Sequence, residues 1–506
     1  MGGIYGVLRP RAEATPDKLA LISELEGTRT YAELLAGAQR AGHVYEHGLG
    51  LEVGDRVCLW TTNRLEWFDA YIGASAVGVA TVQANPEWSD EEIRFVLEHS
   101  RARALVCEPA LATRAAALAD RLPDLEHVLV VATEAPDAGR SLTALLAAAP
   151  GYAGSGLRTP PESFVAAMVY TSGTTTGRPK AVRGRSEQQG NQIDYAAMFD
   201  LTDRDRIMFV TPLFHGNAMG AWMAAIAYGA SAVFQRRFSA RSFWRVVDTY
   251  RPTCLFTLAP IVNILMARPP TALERTHAFR VMIVLGSGAG APQIEERFGA
   301  PVIDWYGMTE AGSGTYTPLG EERRPGSAGR RFPGSSMTIL RPDLTEAAPG
   351  EVGEVGFRLD DIAFDGYVDD PEATAAAVRD GWFLTGDLGS FDADGHFYFA
   401  DRLKDIVRRG GENVSSVEVE TVLRGHPGVA DIAVVAKPDP VLGERIVAFV
   451  IAAGEAPVTV ADLRAFGEGR IAAFKVPDEV ITVDTLPRTA TGKVEKFRLR
   501  NEHFGV

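Results

Sequence analysis

The chain has 506 residues, 46% of them hydrophobic and 23% charged, the balance of a soluble globular protein long enough for two or more domains. A net charge of −14 disfavours broad binding to nucleic acid or an anionic membrane, though a local basic groove can still hold a phosphate ligand. Cys58, Cys107 and Cys254 are too sparse for a disulfide framework or a zinc site. MGGIYGVLRPRAEATPDK has no signal-peptide h-region, and no apolar run approaches the ~18 residues of a membrane helix; a cytoplasmic protein is expected.

Helical spacing of apolar residues predicts a helix over 31–48, and 56–61 reads as a short buried strand. Helices follow at 64–77 and 90–98, strands at 103–107 and 127–132. The stretch 134–162, rich in Ala, Pro and Gly, reads as surface loop. Strands return at 207–211, 231–234, 254–258 and 281–285. This alternation predicts an α/β fold with largely parallel sheets. From about residue 350, Gly- and Asp-rich turns join short strands, which predicts a small β-rich subdomain. After Arg402 come a helix at 416–425, strands near 430–436 and 445–452, and a helix at 460–470. That is enough for an α+β domain of about a hundred residues. The expected division is 1–401 for a large N-terminal domain of mixed sheets and helices, and 402–506 for a small C-terminal one.

Four segments carry candidate chemistry. In the first, the strand-like FVAAMVY feeds Thr171, Ser172, Gly173, Thr174, Thr175, Thr176 and Gly177, and the segment ends at Lys180. Glycines let backbone N–H groups wrap phosphate oxygens, while hydroxyls and the lysine add donors and charge. The pattern is not a Walker A loop, and a polar surface turn is the plain alternative. In the second, Asp304, Trp305, Tyr306, Gly307, Met308, Thr309 and Glu310 follow an apolar strand. A carboxylate beside a triphosphate is a natural Mg²⁺ ligand; the alternative is a Thr/Glu pair capping a helix. In the third, Asp387 is a carboxylate able to accept both ribose hydroxyls, and Arg402 offers a fork to phosphate or ribose. A turn aspartate and a surface ion pair would look the same. The fourth presents Lys493 after Gly492, where a solvated basic loop is the usual outcome.

In this order and spacing, the four segments resemble the adenylate-forming superfamily of acyl-CoA synthetases, luciferases and peptide-synthetase adenylation domains. The resemblance runs from Thr30-Tyr31 to Lys493. It implies a large N-terminal α/β domain binding ATP and acid, with a mobile C-terminal lid. It further implies that 171–180 cradles the ATP phosphates. Gly288, Ala289 and Gly290 would form an adenine-side loop, with Asp304 and Tyr306 beside the base. Thr309 would meet the α-phosphate, Glu310 would hold Mg²⁺, and Asp387 the ribose, with Arg402 nearby. Lys493 would bridge carboxylate and α-phosphate. Lys404 matches the hinge, and Gly410, Gly411 and Glu412 would line the CoA side after rotation of the lid.

His215 lies in a Pro-Leu-Phe-His segment similar to that of acyl- and aryl-CoA synthetases, which implies an aromatic gate at the acyl pocket. A buried, hydrogen-bonded histidine is the alternative. Met219, Trp222, Gly288, Ala311 and Gly312 are expected in the pocket wall. The segments 238–244 and 409–414 are similar to those of carnitine- and crotonobetaine-CoA ligases. Two departures stand out: a third threonine before Gly177, and Arg183 and Arg185 where the family has Thr-His nearby. The leading expectation is an ATP-dependent, AMP-forming acid–CoA ligase using Mg²⁺. The alternatives are transfer to a carrier-protein thiol or an amine, diazotisation through activated nitrite, and a nucleotide-binding protein without turnover.

Overall fold

The computed structural model describes residues 3–134, 139–150, 157–171, 179–186, 198–410, 412–489 and 492–505. Two seven-stranded sheets dominate it. One runs, in spatial order, Val302–Ile303, Val281–Leu285, Cys254–Leu258, Arg206–Phe209, Ser231–Phe234, Leu19–Ser23 and Gly27–Thr30, parallel except for the last pair. The other runs Arg140–Ser141, His127–Val130, Ala104–Cys107, Arg56–Trp60, Ala80–Gln83, Val165–Thr171 and Lys180–Arg185, again with only the last pair antiparallel. Central strands such as Cys254–Leu258 are buried at every position, as parallel strands covered on both faces require.

Helices fill the space between the sheets. Leu65–Val77 is buried at every residue but Glu66, and one hydrophobic cluster joins it to Phe209 and Phe234 of one sheet and Leu59 and Val106 of the other. A helix apolar all round has to be a core helix. Its neighbour Tyr31–His43 opens on a capping box between Thr30 and Glu33.

The sequence reading placed several of these strands and helices, left others such as the helices Gly3–Ala14 and Gly216–Tyr228 unassigned, and read one helix as loop. Inside 134–162, Leu142–Ala148 is a helix, capped by Ser141 Oγ accepting from the Ala144 N–H. Its alanines looked like linker, yet Leu142 and Leu146 are buried. The β-rich part after residue 300 is antiparallel. Trp305–Met308, Gly312–Tyr316 and Arg330–Arg331 form one sheet, and Gly353–Arg358, Trp382–Phe391 and Phe397–Arg402 lie in another. A small C-terminal sheet follows, built around the long hairpin Val429–Asp439 and Gly443–Ala452 with the helices Ser416–Leu423 and Val460–Gly467.

Candidate active site

Antiparallel pairing brings the first two site residues together. Asp387 and Arg402 are cross-strand partners, and Arg402 Nε lies 3.2 Å from Asp387 Oδ1. The other carboxylate oxygen accepts from the Tyr306 hydroxyl at 2.8 Å. Burial, then the charge of Asp387, raises the Tyr306 pKa far above its ordinary value, so the phenol stays a donor.

Trp305–Met308 and Gly312–Tyr316 make a hairpin, so Thr309 and Glu310 sit in its turn and do not cap a helix. Gly307 is needed for close approach: a Cβ there would lie 2.5 Å from the Gly312 carbonyl oxygen. Thr309 is exposed and Glu310 is buried. Burial raises the Glu310 pKa, against the hydrogen bond from Tyr367 and the charges of Arg402 and Lys180.

Lys180 opens the strand Lys180–Arg185, opposite the backbone of Thr171. The expected phosphate loop therefore joins two antiparallel strands. Ser172, Gly173, Thr174, Thr175, Thr176 and Gly177 lie outside the described residues.

Lys493 arrives from the C-terminal part. Its N–H donates to Thr489 Oγ1 at 3.2 Å and its carbonyl accepts from the Thr489 N–H at 2.8 Å, which tightens the loop that presents it. The side chain is exposed to solvent yet deep among protein atoms, the situation of a residue in a cleft. That desolvation, then the charge of Arg402, lowers its pKa, while Asp387 opposes the shift. Its charge also reaches His215, whose pKa falls to about 4, mainly through burial. His215 caps the helix Gly216–Tyr228, with Nδ1 accepting from the Asn217 N–H at 3.2 Å. At neutral pH the ring is uncharged, with its proton on Nε2.

Three assignments need correction. Asp304 is 1% exposed, and its carboxylate accepts from four backbone N–H groups, of Gly286, Ser287, Gly288 and Trp305. It shapes the loop around Gly288 and Gly290 from beneath and cannot itself touch a ligand. Trp305 is also buried, stacked on Phe332. Trp222 is wholly buried and packs edge-on against Trp67, Phe68 and Tyr71, so it belongs to the core and not to a pocket wall. An aromatic at helical spacing carries no sign of which face it takes. Met219, Gly288, Ala311 and Gly312 keep accessible surface.

Gly410 and Glu412 are exposed at the turn between Val407–Arg409 and Glu412–Val414; Gly411 lies outside the described residues. Tyr367, which bonds Glu310, was passed over, because a tyrosine in the irregular stretch before Pro371–Ala377 answers to no chemical pattern.

The family model described as AMP-binding enzyme matches residues 8–368. The chain belongs to the AMP-binding enzyme family. A second model, the AMP-binding enzyme C-terminal domain, matches residues 418–493. This AMP-binding enzyme is similar to the oxalate–CoA ligase of Arabidopsis thaliana, 32% identical over 99% of this chain and 98% of that protein. It is 34% identical to the crotonobetaine/carnitine–CoA ligase of Salmonella paratyphi A, over 97% of each. Among solved structures, ATP-bound MatB from Rhodopseudomonas palustris superposes with a TM-score of 0.89 at 28% identity, over 99% of both chains. The family resemblance read from the motifs is borne out. Among the described residues, no helix is long and apolar enough to cross a membrane.

Proposed function

We propose that this AMP-binding enzyme activates a carboxylic acid with ATP as an acyl-adenylate and passes the acyl group to the thiol of coenzyme A. The observation that carries the reading is the convergence at Lys493. The loop that carries this lysine's ammonium packs at Gly492 against Pro260 of the N-terminal part, and the ammonium's charge bears on His215 on one side and on Arg402 and Asp387 on the other. Relatives named as CoA ligases over nearly the whole chain support the thiol acceptor.

The chemistry follows from charge. A carboxylate must approach the α-phosphorus of an anionic nucleotide, so negative groups have to be brought together. Lys493 offsets the charge that develops there, and Arg402 adds a second cation. Asp387 accepts from the ribose hydroxyls, and Tyr306 and Arg402 hold it in place for that. Neutral His215 borders the acid without adding charge.

Glu310 fits a Mg²⁺ ion. It is a buried carboxylate, and among the described residues no group of three or more His, Cys, Asp or Glu is placed to hold a metal ion by itself. Mg²⁺ typically takes one or two carboxylates and completes its shell with phosphates and water. When bound, it supplies positive charge to the nucleotide.

In this reading residues 1–401 bind ATP and acid, and 402–506 form a lid that swings about Lys404, bringing the segment 410–412 to the thiol. The test is pyrophosphate release across a panel of acids plus nitrite, with and without CoA. An acid that fires, with CoA needed for repeated turnover, is the expected result. Firing with nitrite, or with an acid but no effect of CoA, would overturn the CoA assignment and leave adenylation standing.

A further inference from the structure

Tyr367 touches two residues of the expected phosphate site that come from separate elements. Its hydroxyl donates to Glu310 Oε1 at 3.0 Å. Lys180 Nζ lies 4.7 Å from the centre of its ring. Glu310 sits in the turn after Trp305–Met308, and Lys180 begins Lys180–Arg185. A single side chain thus spans the cationic and the carboxylate partners of the triphosphate.

Tyr367 is itself held firmly. Its N–H donates to Thr374 Oγ1 at 2.9 Å, and its backbone bridges to Val182. The next N–H, of Val368, donates to the Ala181 carbonyl at 2.9 Å. Two residues earlier, Asp365 pairs with Arg185 at 2.6 Å and lies 3.8 Å from Arg183. The two arginines that depart from the family pattern therefore pin the segment that carries Tyr367. A phenol ordinarily titrates near 10, so at neutral pH the Tyr367 hydroxyl carries the proton it donates to Glu310.

We propose that Tyr367 is a positioning residue, orienting the Glu310 carboxylate for Mg²⁺ and shelving the Lys180 ammonium beside the nucleotide phosphates. The proposal rests on the reading of Glu310 and Lys180 given above. A bond to one carboxylate oxygen fixes the rotation of the group and leaves the other oxygen for the ion. The ring face attracts the ammonium and narrows its freedom.

The test is calorimetric binding of ATP to the full-length chain, with Mg²⁺ and with a chelator, for Tyr367→Phe, Tyr367→Leu and Glu310→Gln. Tyr367→Phe keeps the ring and loses the hydroxyl. It should weaken binding of ATP with Mg²⁺ about tenfold and leave metal-free ATP binding unchanged. Tyr367→Leu should weaken both. Glu310→Gln should lose most of the gain that Mg²⁺ brings. Wild-type Mg²⁺ dependence in Tyr367→Phe, with that dependence lost in Glu310→Gln, would overturn the positioning role alone. Wild-type dependence in Glu310→Gln would overturn the assignment of Glu310 and the role of Tyr367 with it. Equal weakening with and without Mg²⁺ in Tyr367→Phe, with a lower melting temperature, would show a purely structural residue.

Discussion

Gly492 rests against Pro260: a Cβ built on Gly492 would lie 2.9 Å from the Pro260 Cβ, and the Gly492 backbone has a φ of +83°. Pro260 lies in the first turn of the helix Ala259–Met266, far from Gly492 in the chain. The contact is where the loop carrying Lys493 docks on the main body. Gly492→Ala meets both the steric limit and the left-handed backbone, so the loop has to shift. A displacement of about 1 Å in a positioned group can lower a rate ~100-fold. Pyrophosphate release should fall at least about tenfold, while thioester formation from a supplied acyl-adenylate should hold. An equal fall in both half-reactions would mean that the docking is not specific to adenylation.

In the proposed reaction Lys493 acts through its ammonium, so the first half-reaction should show an alkaline limb. Its pKa is lowered by desolvation and then by Arg402, which places that limb below the ordinary lysine value of about 10.4. The protonated form is the active one, so the rate falls as pH rises through the shifted pKa. Arg402→Gln removes a neighbouring positive charge and should move the limb to higher pH, whatever it does to the maximum rate. Lys493→Ala should remove the limb and most of the adenylation. A pH–rate profile of adenylate formation decides the matter: an alkaline limb that stays in place in Arg402→Gln would count against the assignment.

The parts of this site that were legible in the sequence are those where chemistry demands a residue type. A carboxylate, a guanidinium and a lysine in the third and fourth segments stood out, and pairing across two strands brings Asp387 and Arg402 together. What stayed hidden was direction. Asp304 reads like any other acid in its motif, yet four loop N–H groups claim both of its oxygens. Trp222 shares a helix with Met219, but 3.6-residue periodicity in an almost wholly apolar segment marks no outer face. Tyr367 depends on a backbone bridge from Val182, a contact between residues 185 positions apart that no local pattern encodes. The sheets were easier, because buried parallel strands announce themselves as short apolar runs.

Lys404 lies two residues beyond the end of the strand Phe397–Arg402, and the next strand, Val407–Arg409, already belongs to the C-terminal sheet. The connection is tied back on itself, since the Asp405 N–H donates to the Arg402 carbonyl at 2.9 Å. Lys404 is half-buried, and that desolvation lowers its pKa to about 8. If the lid turns at this point, fixing φ with proline should block the turn. Lys404→Pro should spare pyrophosphate release and reduce acyl transfer from a supplied adenylate to CoA at least about tenfold. Unchanged transfer would place the hinge elsewhere.

Asp69 offers a test of stability apart from catalysis. It sits on the fully packed helix Leu65–Val77, and its Oδ1 is buried without a hydrogen-bond partner among the described residues. Burial pushes its pKa up to about 7. In the unfolded chain an aspartate titrates near 4, so between about pH 4 and 7 the folded state holds the extra proton. Stability is therefore greatest at the acid end of that window, falls as pH rises through it, and levels off above. The full span is about 4 kcal/mol, three pH units at 1.36 kcal/mol each. Asp69→Asn removes the titrating group while keeping its shape. The variant should melt several degrees above the parent at pH 8 and close to it at pH 4. Thermal melts at the two pH values read the difference directly, and the same offset at both would show that Asp69 does not change its charge in that range.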